Sequence, residues 1–231
     1  MLNQESGDTS EADSNIQLAP KLDSMRRTPQ QERSRRMVKA ILDAAMDILS
    51  QYGRSALSTT SLEVASGVPK SSIYSYFPNL DTIVAEVFRR VIREHQVRGY
   101  KEFREKNHVT ALEFTTWLID WALEIHGHLL DLDAEFYISY SSSFDLWVEL
   151  ESNLEPTDST FHFLKELLSK CEDFVPGDDD VMIVRALGRS AQLIIYALLK
   201  DNPEYIKQTS FRDLLIRASY ATIPSSSLID L

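Results

Sequence analysis

Cysteine, glycine and proline are scarce in this 231-residue chain, at one, seven and eight residues. The single cysteine, Cys171, excludes an intramolecular disulfide and fits a reducing compartment, where its ordinary role is a buried, inert thiol. So few glycines and prolines supply little punctuation for the tight turns of a strand-rich fold, which favours helices. No uninterrupted apolar run approaches the roughly 18 residues needed to span a bilayer. The opening MLNQESGDTSEADSN is acidic and polar, unlike a signal peptide. The expectation is a cytoplasmic protein with no membrane partner. Nucleophile elbows, glycine-rich phosphate loops and metal-ligand spacings are also missing, so no catalytic residue, cofactor or metal site is expected, and the chain does not read as an enzyme. His126 and His128 stand two apart, on different faces of a helix, and do not form a chelating pair. Asp178, Asp179 and Asp180 read as carboxylates at a helix N-terminus, where the helix dipole favours them, not as converging metal ligands.

Positive charge is short overall, with a net charge of −11, but it is unevenly spread. Residues 1–20 carry four acids and no base, residues 21–98 carry 13 bases against 8 acids, and residues 99–231 carry 11 against 23. A polyanion would be drawn to one end of such a molecule and repelled by the other.

Residues 1–27 lack apolar periodicity and are rich in Ser, Asp, Glu, Gln and Asn, which predicts a disordered tail with a basic end at Lys21, Arg26 and Arg27. Helical spacing then begins. Val38, Ile41, Leu42, Ala45, Ile48, Leu49 and Tyr52 form one stripe, closed by Gly53 as a C-cap. Arg33, Arg35, Arg36 and Lys39 crowd the start of that helix against its dipole, a cost that a nearby phosphate backbone would offset. Ser58, Thr59 and Thr60 offer N-cap oxygens for a short second helix to about Ser66. Gly67-Val68-Pro69 is a turn, and a third short helix follows from Lys70 to Phe77. Pro78-Asn79 breaks it, and Asn79 can cap a long fourth helix carrying Ile83, Val84, Val87, Phe88, Val91 and Ile92. Beyond Val109, helices are predicted over 110–130, 134–151, 159–172, 179–200 and 205–222, parted by Asp131–Asp133, Pro156, Pro176-Gly177 and Pro203.

Two short helices joined by a glycine turn, with a base opening the second, make a helix-turn-helix, whose second helix is narrow enough to enter a major groove. Leu62, Ala65, Val68, Ile73 and Phe77 should brace it against Ile41, Ala45 and Leu49. Its polar side would hold Lys70, Ser71, Ser72, Tyr74, Ser75 and Tyr76.

From Arg35 to Phe88 the sequence resembles the DNA-binding domain of the TetR (tetracycline-repressor-like) family. The likeness rests on the ILDAA–IL run of the first helix, Gly53, Leu62, Gly67-Val68 and the closing Ile73-Tyr74-x-Tyr76-Phe77. It implies an all-α homodimer on a palindromic operator in double-stranded DNA, with a three-helix N-terminal domain (28–80), a linking helix (81–106) and a C-terminal helical ligand-binding and dimerisation domain (107–231). It also implies that Lys70, Ser71, Ser72, Tyr74 and Tyr76 touch bases or phosphates, and that Ser58, Thr59 and Thr60 touch backbone phosphates. Two positions depart from the family pattern. Leu80 replaces a usual phosphate-holding lysine. Glu63 replaces a small residue and reads as a solvent-exposed side chain, mildly repulsive near phosphate. The arm from Arg26 to Arg36 is expected to compensate for the lost lysine along the backbone or in the minor groove.

In the C-terminal half, Trp117 and Trp121 share a helix face, and Tyr137, Tyr140, Phe144 and Trp147 form a second aromatic stripe. These read either as packed core or as the wall of a pocket for a small apolar or aromatic effector. The resemblance favours the pocket, and with it a repressor that its effector releases from the operator. The alternative is a ligand-independent DNA-binding protein whose C-terminal half only dimerises or docks a protein. Ile183, Leu187, Ala191, Ile194, Ile195 and Leu198, then Phe211, Leu214, Leu215 and Ala218, mark the last two helices, which the resemblance pairs with their mates as a four-helix interface.

Overall fold

A computed structural model describes residues 23–106, 108–141 and 160–229. Among them are eight α-helices, and the one extended pairing is an isolated antiparallel bridge between Phe174 and Leu228. Helix α1 spans Glu32–Tyr52, and a 3-10 turn, Arg54–Ala56, leads to α2 (Thr59–Ser66) and α3 (Lys70–Tyr76). The long α4 spans Leu80–Arg104. Then come α5 (Ala111–Ser141), α6 (Thr160–Leu168), α7 (Asp180–Asp201) and α8 (Thr209–Tyr220), with a 3-10 turn, Pro203–Lys207, before the last.

Local chemistry accounts for most boundaries. Ser58 and Ser61 form a reciprocal capping box at the start of α2. Gly67 ends that helix at φ 68°, a left-handed conformation that glycine adopts without a Cβ clash. The Asn79 side chain accepts the Thr82 N–H at 2.8 Å and opens α4. The Asp180 carboxylate, buried at the start of α7, accepts the Gly177 N–H at 2.8 Å.

Three boundaries differ from expectation. The predicted break at Asp131–Asp133 shrinks to a kink at Asp133 (φ −161°, ψ 88°), because its carboxylate at once caps the next turn by accepting the Phe136 N–H. The predicted helix 159–172 ends at Leu168 in tight turns. The predicted helix 205–222 divides at Gln208, whose backbone is extended (ψ 127°). Of the predicted helix 134–151, residues beyond 141 lie outside the described residues, as do residues 1–22 of the predicted tail.

One continuous hydrophobic cluster runs from α1, α2 and α3 across α4 into α5, α7 and α8. A second, with Phe103, Phe114, Leu164, Leu168, Cys171 and Leu187, closes the far end, and Trp121 packs against both. Trp121 reaches α4 because Gly99 lacks a side chain: a Cβ there would sit 2.6 Å from the indole nitrogen, which donates to the His95 carbonyl at 3.1 Å. Cys171 is buried as expected, and burial pushes its thiol up to about 12.

Helix α7 has two faces. Ile183, Val184, Leu187, Ala191, Ile195 and Leu199 point into the chain's own core. This corrects the assignment of Ile183, Leu187, Ala191 and Ile195 to a surface between copies. The outward face carries Met182, Ala186, Leu193 and Ala197, and Leu214 of α8 is exposed too. By length and composition α7 could cross a membrane, yet only 33% of its apolar window is buried. Its outer apolar side therefore stands uncovered within one chain.

Among the described residues His126 is the most deeply placed titratable group, 2% exposed. Its Nδ1 lies 2.7 Å from the Tyr137 hydroxyl, and the Tyr196 ring meets it edge-on. Burial lowers its pKa from 6.5 to about 3. The imidazole thus stays neutral in the fold while an unfolded chain would protonate it below 6.5. Its contribution is intact above that pH and is lost as pH falls towards 3, at about 1.4 kcal/mol per unit. Thermal melts should therefore drop steeply between pH 6.5 and 4, and His126→Asn should flatten that drop. An unchanged slope in the variant would exclude His126 as its source.

Candidate nucleic-acid interface

The brace behind α3 forms largely as predicted. Leu62, Val68, Ile73 and Phe77 are buried with Ile41, Ala45 and Leu49 in one cluster. Ala65 is a correction: it is exposed on the outer side of α2. Opposite the brace, Ser71 and Tyr74 are exposed, and Lys70, Ser72 and Ser75 are partly so. Ser58 and Thr60, at the start of α2, are exposed as well. The Thr59 hydroxyl lies 3.1 Å from the Tyr74 hydroxyl, which ties the tip of the tyrosine to α2.

Tyr76 is a second correction. It was expected on the polar side of α3, but it follows Ile73 by three and shares its inward face, 8% exposed. Its ring lies beneath the Arg27 guanidinium at 5.1 Å, and its carbonyl accepts the Arg26 N–H at 2.8 Å. The Arg27 side chain also donates to the Ser75 carbonyl at 3.1 Å. Residues 23–27, expected to be the disordered end of the tail, thus dock on the end of α3. Met25 packs against the core, and the Asn79 amide donates to Asp23 at 2.9 Å. The arm enters beside the exposed Arg33 and Arg35, which make no ion pair among the described residues, while Arg36 pairs with Glu32 at 3.0 Å.

Glu63 is a third correction. It was read as a solvated side chain, yet its Oε1 accepts the Lys70 N–H at 3.0 Å, and its Oε2 lies 4.0 Å from the Lys70 ammonium. Pro69 precedes α3 and offers no side-chain acceptor, so Glu63 supplies the cap from seven residues upstream. A capless proline at a helix start is the sequence signal that could have exposed this role. Leu80, in place of a lysine, packs against the core and lines an open cleft of about 460 Å³ with Thr59, Tyr74, Asn79 and Asp81.

The outcome is a short helix held on one side by apolar burial and showing hydroxyls and a lysine on the other. The stretch 41–87 matches the family model described as bacterial regulatory proteins, tetR family. Residues 41–87 thus form a TetR-type domain. The chain is similar over 85% of its length to a TetR transcriptional regulator from Rhodococcus sp. RHA1, all of which is covered, at 13% identity and a TM-score of 0.50. A TetR-family regulator from Streptomyces coelicolor aligns at 20% identity and a TM-score of 0.49, over 81% of this chain and 99% of that one. The multidrug binding protein EbrR, complexed with imidazole, aligns at 22% identity and 0.47, over 84% and 97%. At these identities the likeness concerns the fold. No curated protein matches the sequence.

The TetR-type domain meets the C-terminal helices at a polar junction that sequence reasoning missed. Arg54, just after α1, pairs with Asp81 in the first turn of α4, and its Nε lies 3.6 Å from Asp133 at the α5 kink. The Tyr140 hydroxyl donates to Asp81 at 3.3 Å. Asp133 is 5% exposed, and desolvation raises its pKa above the ordinary carboxylate value. Its Oδ2 and Arg54 Nη1 find no hydrogen-bond partner among the described residues. Pairs contributed by elements 27 and more residues apart leave no periodic trace in sequence.

The aromatic residues proposed for an effector separate into three places. Trp117 and Trp121 stack on each other, centroids 5.6 Å apart, with Trp117 also against Phe103. Tyr137 is buried against His126 and Tyr196. Tyr140 lines a cleft of about 240 Å³ at the junction with Arg54, Asp81, Asp133 and Phe136. Phe144 and Trp147 lie outside the described residues.

The junction yields a stability test. Replacing Arg54 by Met leaves Asp133 buried without its cation and should cost about 1–3 kcal/mol in denaturant unfolding. Asp133→Asn keeps an oxygen for the Phe136 cap and should cost less. The reverse order would show that the cap, not the charge, governs the kink.

Proposed function

We propose that this protein is a TetR-family transcriptional repressor that binds a palindromic operator as a homodimer in the cytoplasm and is released by a small effector. The observation that carries the DNA-binding part is the exposed edge of α3. Lys70, Ser71, Ser72 and Tyr74 would meet base edges and phosphates in the major groove, with Ser58, Thr59 and Thr60 on the backbone. Tyr76 leaves this set because its ring is buried. The arm at Arg26 and Arg27 docks on the C-terminal end of α3, and it would replace the phosphate contact that Leu80 cannot make.

Dimerisation is supported by the uncovered outer side of α7 and Leu214 of α8. Burying such a surface against its copy would place two α3 helices one DNA turn apart, about 34–36 Å. The proposed domain limits follow: 28–80 reads DNA, 81–106 links, and 107–231 regulates and dimerises. An effector would act by biasing α5 at its kink, which the Arg54 junction joins to α4. A second reading, in which the C-terminal half only dimerises, is favoured by one observation: Trp117, Trp121 and Tyr137 are engaged with neighbouring rings.

The test starts with selection of a binding site from random duplexes. The enriched site should be a palindrome bound by dimers. Leu193→Glu should give a folded monomer by sedimentation and weaken operator binding at least tenfold. A dimeric Leu193→Glu protein with full affinity would remove α7 from the interface. Absence of any enriched site would remove the operator.

A further inference from the structure

The family pattern leaves Glu63 without a task, since a carboxylate beside the reading helix repels phosphate. Its contacts supply one. Oε1 is committed to the Lys70 N–H at 3.0 Å, and Oε2 stands 4.0 Å from the Lys70 Nζ. Both side chains are partly exposed, 41% for Glu63 and 44% for Lys70, so the ammonium can turn between the carboxylate and whatever lies outside. Lys70 is the only cation on α3. The backbone hydrogen bond prevents Glu63 from swinging away when DNA approaches.

From this geometry we infer that Glu63 is a specificity-determining residue: it tethers the Lys70 ammonium and withholds it from the phosphates of arbitrary DNA. The inference rests on the reading that α3 faces duplex DNA. Non-specific binding is almost wholly phosphate neutralisation, and each cation that engages a phosphate adds about 0.9 to the logarithmic salt slope. A tethered lysine contributes little to that term, and the fixed carboxylate opposes it. In a cognate complex the ammonium is aimed at a neutral acceptor, such as guanine O6 or N7, which makes no claim on its counter-charge. Glu63 therefore penalises random sequence more than operator and raises the ratio between them. It acts through Lys70, as a positioning residue.

Glutamine separates this role from the cap. In Glu63→Gln the side-chain oxygen still accepts the Lys70 N–H, while the charge is gone; Glu63→Ala loses both. Binding of the full-length protein to a random-sequence 30-base-pair duplex would be followed by anisotropy from 50 to 200 mM salt. Glu63→Gln should melt like the parent, bind the random duplex more tightly, and show a salt slope steeper by about one contact, so that its advantage shrinks roughly threefold across that range. The ratio of operator to random-duplex affinity should fall. In a Lys70→Met background the same substitution should change the slope little. Glu63→Ala should show the same steeper slope with a lower melting temperature.

A Glu63→Gln protein with the parental slope and affinity for random duplex would overturn the inference. So would an equal gain in the Lys70→Met background, which would assign the effect to bare repulsion. If the parent and every variant ignored duplex DNA at 50 mM salt, the DNA-facing reading itself would fall, and this inference with it.

Discussion

The burial of Ile73, Tyr76 and Phe77 beneath α1 and the start of α4 is the constraint on which the exposed edge of α3 depends. A helix of seven residues is far too short to persist alone in water. It persists here because every inward position on it is apolar or aromatic and meets packed side chains. Its opposite edge is then fixed in direction, with Ser71 and Tyr74 outward at no further cost. The Glu63 cap, the Thr59–Tyr74 contact and the Arg27 guanidinium over Tyr76 tighten the same short rod from three sides.

The rod is not carried on an independent bead. The hydrophobic cluster that holds α3 continues along α4 into α5, α7 and α8. Helix α4 shares both environments, and Arg54 bridges its first turn to the α5 kink. A buried carboxylate facing a cation at 3.6 Å, with a hydrogen-bonding atom unused on each, is a loosely satisfied contact in a protein that otherwise packs tightly. Such a contact can change partners at small cost, which suits a point where α1, α4 and α5 meet.

Where one side chain's periodicity decides, the sequence was sufficient to read the structure. The α1 stripe from Val38 to Leu49, the Gly67 turn, the Asn79 cap and the apolar face of α4 stand where spacing put them, while Tyr52, expected to end the α1 stripe, is 69% exposed. The charge asymmetry also singled out the half of the chain that holds the family match at 41–87. Legibility failed where a residue's partner is distant in sequence. Glu63 looked like a solvated acid because its acceptor role depends on a turn folding Lys70 back onto it. Tyr76 looked polar by its hydroxyl, though its position relative to Ile73 made its ring a core element. The α7 stripe was visible, but a helix wrapped by its own chain on one side and bare on the other shows two apolar faces, and spacing cannot say which face a second copy takes. The aromatic stripes of α5 were also visible, but whether rings stack on one another or line a cavity is a property of packing.

A thiol placed on α3 measures most directly whether this edge meets DNA. Cys171 is buried and its thiol is pushed up to about 12, so it stays unreactive at neutral pH, and Ser71→Cys would carry the one accessible thiol. The account predicts that saturating duplex protects this thiol from maleimide, while a thiol at Val97, 66% exposed on α4, labels at the same rate with and without DNA. Equal labelling of the Ser71→Cys protein in the free and DNA-bound states would contradict it.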